Sequence, residues 1–286
     1  MIDKSEIARI VREVVSEVVS ESEAPVAGGS AAAGQAESAT PGRRGPEHRP
    51  LRPFQRGEAV DRLITATPSR ILQGRTGVRY LTESYLGLRA DHAIALDAVE
   101  SEVPPELPQQ EGWLPLRTQA KDHTDYLLYP DHGRRLDEES RRRLEGEGTK
   151  GVDVQIIAGD GLSAYALGLN GPRLVRALVE KLGRAGFRVG RPIFVKFARI
   201  GVQDEIGVVT GARATVIIVG ERPGLGTGDS LSIYTAFGPK LGQDNAEKDC
   251  ISNVRAAGLA PEAAADKTAE LLRKSFAAGG GGVKLV

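Results

Sequence analysis

"VDVQIIAGDGLSAYALGLNGPRLVRALVEKLGRAG", residues 152–186, decides the fold class. It opens with a short run of β-branched and other apolar residues, which is typical of a buried strand. A glycine-containing turn follows. From Pro172 to Gly186 the pattern predicts a helix, with proline near its start and glycine at its end. Strand, turn and helix in this order form the unit that builds parallel sheets covered by helices.

The same alternation continues towards the C-terminus. Further strands are predicted at "RPIFVKFARI" (191–200), "ATVIIVGE" (214–221) and "LSIYTAF" (231–237). A last helix is predicted from Pro261 to Gly280, again opened by proline and closed by glycine. The sequence therefore predicts an α/β fold with a mostly parallel sheet. In such sheets, ligands bind in the loops at the carboxyl ends of the strands.

The N-terminal part of the chain has a different organisation. Residues 1–20 predict an amphipathic helix, and residues 21–51 are small and polar, as in a flexible linker. A small helical region is predicted over 52–110, and the α/β domain over 111–286. Within the helical region, Thr82 is placed to cap a helix with a rough apolar face, made of Leu86, Ala90, Ile94 and Val99.

Bulk composition excludes several classes of protein. The chain has 38 basic and 38 acidic residues, so its formal net charge is zero, whereas a nucleic-acid binder usually carries a basic excess. A single cysteine excludes an intramolecular disulfide and suits a reducing compartment. No apolar run approaches the ~20 residues that span a bilayer. We therefore expect a soluble cytoplasmic protein with neither nucleic acid nor a membrane as partner.

The turn after the first strand matches a dinucleotide-binding pattern. Gly159, Gly161 and Ala164 fit G-x-G-x-x-A between a strand and a helix, where glycines let a phosphate approach backbone N–H groups. That pattern also needs an acidic residue at the end of the next strand, to bind the ribose hydroxyls. Arg199 and Ile200 stand there instead. The missing acid argues against a nicotinamide-dependent oxidoreductase.

A second glycine-rich turn, "GERPGLGTGDS" (220–230), follows the strand at 214–221. It lacks the Lys-Ser/Thr pair of a Walker A loop. Its glycines remove side chains where a large ligand would press against the backbone, and Glu221 offers a carboxylate at the mouth of the loop. An ordinary strand-exit turn, with Glu221 paired to Arg222 or another arginine, explains the spacing equally well.

Catalytic or metal-binding machinery is not evident. Cys250 would need a histidine to become a thiolate nucleophile, and all four histidines lie far upstream. A lone cysteine is more often a small buried residue. Asp131 and His132, beside Gly133, are more typical of a surface turn than of a general base, and no histidine or cysteine spacing suggests a bound metal. The chain has ligand-binding loops without an obvious catalytic residue.

Several segments together resemble the small subunit (light chain) of ethanolamine ammonia-lyase. They are "LTESYLGLRADHAIALDAV", "YLLYPDHGRRL", "IIAGDGLSA", "VGERPGLGTGDSLSIY" and "CISNVRAAGL". The resemblance covers roughly residues 55 to 286. It implies a Rossmann-like domain that helps a large catalytic subunit to enclose adenosylcobalamin. The pair converts ethanolamine to acetaldehyde and ammonia, so this chain would be the non-catalytic, cofactor-binding subunit of a carbon–nitrogen lyase.

The resemblance also implies which residues contact the cofactor. By their place in the motifs these are Ile200, Glu221 and Cys250, all expected just beyond strand ends or in the loops there. Many cobalamin proteins carry D-x-H-x-x-G, whose histidine replaces the cofactor's own base on cobalt. "DHG" at 131–133 lacks that spacing, so the cofactor would keep its own base. No protein-bound metal is expected.

The family works inside protein-shelled bacterial microcompartments, and tethered amphipathic helices resemble the encapsulation tags of their cargo. Residues 2–20 would then contact shell proteins. Two other classes stay open. One is a stand-alone Rossmann-type oxidoreductase or transferase that binds a nucleotide at Gly159 to Ala164. The other is a scaffold or cargo adaptor in which the tethered helix is the functional part.

Overall fold

A computed structural model describes residues 58–67, 69–76 and 78–285. The helix predicted over residues 1–20 and the linker predicted over 21–51 lie outside the described residues. The chain divides into two compact units, residues 1–89 and 90–286.

In the described part of the first unit, a short helix precedes a small hairpin. The helix is α1 (Glu58–Thr65), and the hairpin pairs β1 (Arg75–Thr76) with β2 (Arg79–Tyr80) in antiparallel register. The Arg75 guanidinium lies 4.6 Å from the centre of the Tyr80 ring, which fixes the two strands to one another. A long helix, α2 (Thr82–Glu100), begins in this unit and confirms the helix predicted from Thr82.

The second unit is built on one six-stranded sheet. Its strands are β3 (Leu114–Arg117), β4 (Val154–Gly159), β5 (Ile193–Lys196), β6 (Ala214–Gly220), β7 (Leu231–Phe237) and β8 (Lys248–Val254). Their order is β3-β5-β4-β6-β7-β8. Strands β3, β5, β4 and β6 run parallel to one another. Strand β7 pairs antiparallel with β6, and β8 pairs antiparallel with β7. This confirms the predicted α/β class with a mostly parallel sheet.

Helices of this unit are α3 (Leu107–Gln110), α4 (His123–Leu128), α5 (Glu138–Glu147), α6 (Ala164–Arg184), α7 (Val202–Thr210) and α8 (Pro261–Ala278). Side chains of α6 and α8 pack with Ile156 and Ile218 on one face of the sheet. Side chains of α5 and α7 pack with Ile157 and Ile217 on the other. Every residue of β4 and β6 is buried, which explains why their sequences are mostly apolar, interrupted only by Gln155 and Thr215, rather than alternating.

Two elements differ from the sequence prediction. Helix α6 starts at Ala164, not at Pro172, because the Ser163 side chain caps it by accepting from the Ala166 N–H. Pro172 therefore lies inside the helix, where it removes a hydrogen bond at a cost of about 3 kcal/mol. Full burial of Leu167 and Leu174 on the core-facing side compensates for that loss.

Strand β8 was not predicted, because Lys, Asp, Ser and Asn in "KDCISNV" disfavour a strand. It forms at the edge of the sheet by pairing with β7. The face predicted for α2 is not its buried one, since Leu86 and Ile94 are exposed while Ala98 is buried. None of the helices in the described part of the chain has the length and apolar character needed to cross a membrane.

Candidate functional site

A cleft of about 1130 Å³ opens at the carboxyl edge of the parallel strands. The chain leaves β4 for α6 on one face of the sheet, and leaves β5 for α7 on the other face. Loops that separate in this way create a crevice at the topological switch point. The exits of β4, β5 and β6 line the crevice together with the turn at 130–135, strand β7 and the segment 242–248.

Ile200 lies in the cleft wall formed by the exit of β5, as predicted. The exit is fixed by Asp160, whose carboxylate accepts the N–H groups of Phe197 at 2.7 Å and of Ala198 at 2.9 Å. Asp160 is only 6% exposed. Burial raises the pKa of its carboxyl to about 6, although the backbone N–H groups of Phe197 and Ala198 oppose that change.

Glu221 lies in the cleft wall where β6 ends. Its Oε1 accepts the Ser232 hydroxyl at 2.6 Å and the Asn253 N–H at 2.9 Å. The carboxylate is therefore bonded to β7 and β8, not to Arg222 as the alternative interpretation had it. Asn253 adopts a left-handed backbone conformation (φ 58°) at this contact. Glu221 joins three strands at the edge of the cleft.

The sequence predicted that Cys250 lies in a loop beyond a strand end. The structure places it inside strand β8, with its side chain exposed. It pairs across the ladder with Tyr234, which lines the cleft. Directly paired residues of antiparallel strands present their side chains on the same face, so Cys250 extends the Tyr234 side of the cleft towards the sheet edge. Burial, and then a hydrogen bond with Cys250, raise the pKa of Tyr234 to about 12.

In the 220–230 turn, Gly226 and Gly228 lie against helix α2, so the protein's own packing accounts for glycine at these two positions. Gly226 adopts a φ of +73°, and its N–H donates to the Asp91 carbonyl of α2 at 3.1 Å. A Cβ on Gly228 would lie 2.5 Å from the Cβ of Ala98. The loop needs glycine because it lies directly against α2.

The glycines of the dinucleotide-like turn are likewise surrounded by protein. A Cβ on Gly159 would lie 2.5 Å from the Cβ of Ala198. Gly161, with φ +62°, would bring its Cβ onto the backbone of Gly220. Close packing between strand exits accounts for this pattern without a bound phosphate, which removes the main support for the nucleotide-binding hypothesis.

Two pairs of charged or titratable residues at the cleft were not predicted. His132, expected to lie in a surface turn, lines the cleft and bonds through Nδ1 to Asp125 Oδ2 at 2.8 Å. That bond holds the pKa of Asp125 below its usual value. Lys248 and Asp204 form an ion pair with Nζ 2.9 Å from Oδ1, and both side chains are almost completely buried. Burial raises the pKa of Asp204, against the effect of Lys248.

Sequence patterns give no direct signal for these pairs. The partners Lys248 and Asp204 are 44 residues apart and sit in different elements, so only the fold brings them together. His132 and Asp125 are 7 residues apart, but the helix that holds Asp125 ends at Leu128, so the turn that follows it brings them together.

Residues 57–286 match the family described as "Ethanolamine ammonia-lyase light chain (EutC)". The chain belongs to this family. It is 42% identical, over 202 residues, to the ethanolamine ammonia-lyase small subunit of Clostridium acetobutylicum; the match covers 71% of this chain and 84% of that relative. The resemblance drawn from the motifs is thereby confirmed, and the light chain is a member of a lyase complex.

Proposed function

We propose that this light chain binds adenosylcobalamin and encloses it against the large subunit of ethanolamine ammonia-lyase, which converts ethanolamine to acetaldehyde and ammonia. The observation that carries the proposal is the cleft at the switch point of the sheet. Ile200 and Glu221 line this cleft, and Cys250 continues its Tyr234 side. Ile200 and Glu221 follow the carboxyl ends of parallel strands, where an α/β fold binds its ligands, and Cys250 lies on the neighbouring edge strand β8.

The groups along this cleft fit a corrin, which is broad and rimmed by amides. Amide rims need scattered hydrogen-bond donors and acceptors more than a single charged clamp. The cleft offers Arg199 Nε and Gln243 Oε1, both buried and without a hydrogen-bond partner among the described residues. Buried polar atoms of this kind cost free energy until a partner arrives, so a ligand that supplies amides would stabilise the site.

The chemistry is divided between the subunits. When bound, adenosylcobalamin supplies a radical through homolysis of its cobalt–carbon bond. The light chain's residues bind the rim of the cofactor and keep water from it. The sequence "DHG" at 131–133 lacks the D-x-H-x-x-G spacing, so this chain would offer no motif histidine to replace the cofactor's own base. No catalytic residue is assigned to it.

The partner surface is proposed from exposed apolar side chains. Ile94 and Leu96 on α2, and Tyr165 and Leu169 on α6, are each about half exposed in the single chain. Large apolar side chains exposed in this way are typical of surfaces that a partner covers. We expect the large subunit to pack on these helices.

We propose encapsulation as the role of residues 2–20, with a bacterial microcompartment as the location. Deleting residues 1–20 should leave lyase activity in free solution unchanged and abolish association with shell proteins. Loss of activity in free solution would contradict the tag assignment. Retained shell association would contradict it too.

The function is tested by reconstitution. This chain, a matching large subunit, adenosylcobalamin and ethanolamine are mixed, and acetaldehyde is measured while each component is omitted in turn. We expect product only in the complete mixture. A stable complex that binds the cofactor but leaves ethanolamine unreacted would contradict the substrate assignment. Full activity of the large subunit without this chain would contradict the cofactor-enclosing role.

A further inference from the structure

The exit of β5, residues 197–201, is held in place more completely than an ordinary loop. Asp160, directly after β4, accepts the N–H groups of both Phe197 and Ala198. The Thr118 hydroxyl donates to the Phe197 carbonyl at 2.9 Å, and the Tyr126 hydroxyl donates to the Ala198 carbonyl at 3.1 Å. Both backbone groups of two consecutive loop residues are thus bonded to fixed side chains.

The next residues continue this pattern. The Arg199 N–H donates to the Gly133 carbonyl at 2.8 Å, and the Arg199 carbonyl accepts from the Val202 N–H at 3.0 Å. A side chain at Gly133 would collide with Arg199, so these two segments lie in direct contact. The segment that presents Ile200 to the cleft is bonded to partners from several separate parts of the chain.

Phe197 shows why so many bonds are present. Its φ of 59° lies in the left-handed region, which a bulky residue adopts only at an energetic cost. Such a conformation persists only where surrounding contacts determine it. The Phe197 ring stacks on Tyr126, with ring centres 5.7 Å apart, and its N–H is one of the two that Asp160 accepts. Asp160 therefore stabilises a strained backbone that turns the chain into the cleft.

We propose that Asp160 is a positioning residue for the cofactor, because it holds the exit of β5 in the conformation that places Ile200 in the cleft wall. This inference rests on the proposed function. Asp160 reaches the cofactor only through residues 197–201. Its carboxylate is suited to the task, since each N–H of Phe197 and Ala198 meets a different oxygen, Oδ2 and Oδ1. An amide could accept only one of them.

The chain offers a matched control on the same strand. Asp153, just before β4, accepts the Arg188 N–H at 2.9 Å at the opposite end of the sheet. Asp160→Asn and Asp153→Asn therefore make the same chemical change to the same kind of bond. Each variant is measured in two ways. Amide hydrogen exchange is followed in the chain, and the equilibrium affinity for adenosylcobalamin is titrated in the complex with the large subunit.

For Asp160→Asn we expect at least tenfold faster exchange at Phe197 and Ala198, and at least tenfold weaker cofactor binding. For Asp153→Asn we expect faster exchange at Arg188 only, with cofactor binding unchanged. Faster exchange at Phe197 with wild-type affinity would overturn the positioning role. So would equal loss of affinity in both variants. Absence of binding by the wild-type complex would instead overturn the proposed function itself.

Thr118→Val provides the same test if Asp160→Asn does not fold. This near-isosteric change removes only the bond to the Phe197 carbonyl. We expect faster exchange in 197–201 and several-fold weaker cofactor binding. Wild-type affinity together with faster exchange would again overturn the inference.

Discussion

The two ends of strand β4 place the same residue type in opposite electrostatic settings. At the amino end, Asp153 faces Arg188 and Arg213, and the hydrogen bonds and charge of these partners lower its pKa. At the carboxyl end, Asp160 is buried, and burial raises its pKa to about 6. The amino end is an ordinary ion pair at the rim of the sheet. The carboxyl end keeps a charge in a place that is costly for folding, which is typical of a site selected for its geometry.

The backbone is also more closely packed at the carboxyl end of β4 than at its amino end. Gly151 and Gly161 both adopt φ +62°, one before β4 and one after it. A Cβ on Gly151 would meet open space, whereas one on Gly161 would collide with the backbone of Gly220. The carboxyl end of β4 is therefore more tightly packed than the amino end, as a preorganised binding site requires.

The largest expected effect comes from this pair of glycines. Gly161→Ala should lower the free energy of unfolding by about 3 kcal/mol or more, since backbone strain and a steric collision add. Gly151→Ala should cost only about 1 kcal/mol, from strain alone. Urea unfolding of the two variants checks the contrast. Equal losses would show that the two ends are equally tolerant.

The pH dependence of stability should also separate the two ends. The native pKa of Asp160 is about 6 and its ordinary value is 3.8. Between these values the native state holds a proton that the unfolded state lacks, so the contribution of Asp160 to stability falls as the pH rises through this window. The loss from pH 4 to pH 7 is on the order of 3 kcal/mol. The nearby charge of Lys196 already limits the rise in this pKa.

Unfolding free energies of the wild-type chain and of Asp160→Asn, measured from pH 4 to pH 7, check this. As the pH rises from 4 to 7, the unfolding free energy of the wild type should fall relative to that of Asp160→Asn, because only the wild type carries the titrating carboxyl. For Asp153 the sign is opposite, because its pKa is lowered, so its contribution is present above 3.8 and is lost as the pH falls. Parallel curves for the wild-type chain and Asp160→Asn would show that the carboxyl of Asp160 titrates normally in the wild type.

A smaller effect is expected from Tyr126→Phe. The change leaves the buried Ala198 carbonyl without its donor, which costs about 1–2 kcal/mol of stability. Cofactor affinity should fall several-fold. Tyr80→Phe, at an exposed position of β2, is the control and should leave cofactor affinity unchanged. Thermal unfolding and a cobalamin titration of the complex measure the two effects.

The smallest effect is expected at the amino end. Arg188→Ala removes the ion pair with Asp153. The Arg188 side chain in this pair is well exposed to solvent. Exposed pairs contribute about 0–1 kcal/mol. The free energy of unfolding, measured in urea, should therefore fall by less than about 1 kcal/mol. A larger loss would show that the amino end of β4 is as sensitive to substitution as the carboxyl end.

The central sheet could be predicted from the sequence because its signals are local. Strands β4, β5 and β6 are apolar runs, and α8 begins at proline and ends at glycine. Strand β3 is only four residues long and contains a proline, and β8 is polar, so neither has a local signal. Both exist because neighbouring strands supply partners for their backbone groups.

The candidate site could be predicted only where it follows from strand ends. Ile200 and Glu221 come directly after predicted strands, and both line the cleft. Asp160, Thr118 and Tyr126 escaped notice because their bonds to the β5 exit cross 37, 79 and 72 residues of sequence. The pattern around Gly159 and Gly161 suggested a phosphate, whereas the same glycines are required by the packing of two strand exits.

The most direct test of the account is amide hydrogen exchange of the complex of this chain with the large subunit, with and without adenosylcobalamin. We expect the cofactor to slow exchange in residues 197–201 and 220–222, at the carboxyl end of the sheet, and to leave exchange at Asp153 and Arg188, at the amino end, unchanged. Slower exchange confined to other parts of the chain, with these two segments unaffected, would contradict the assignment of the cleft.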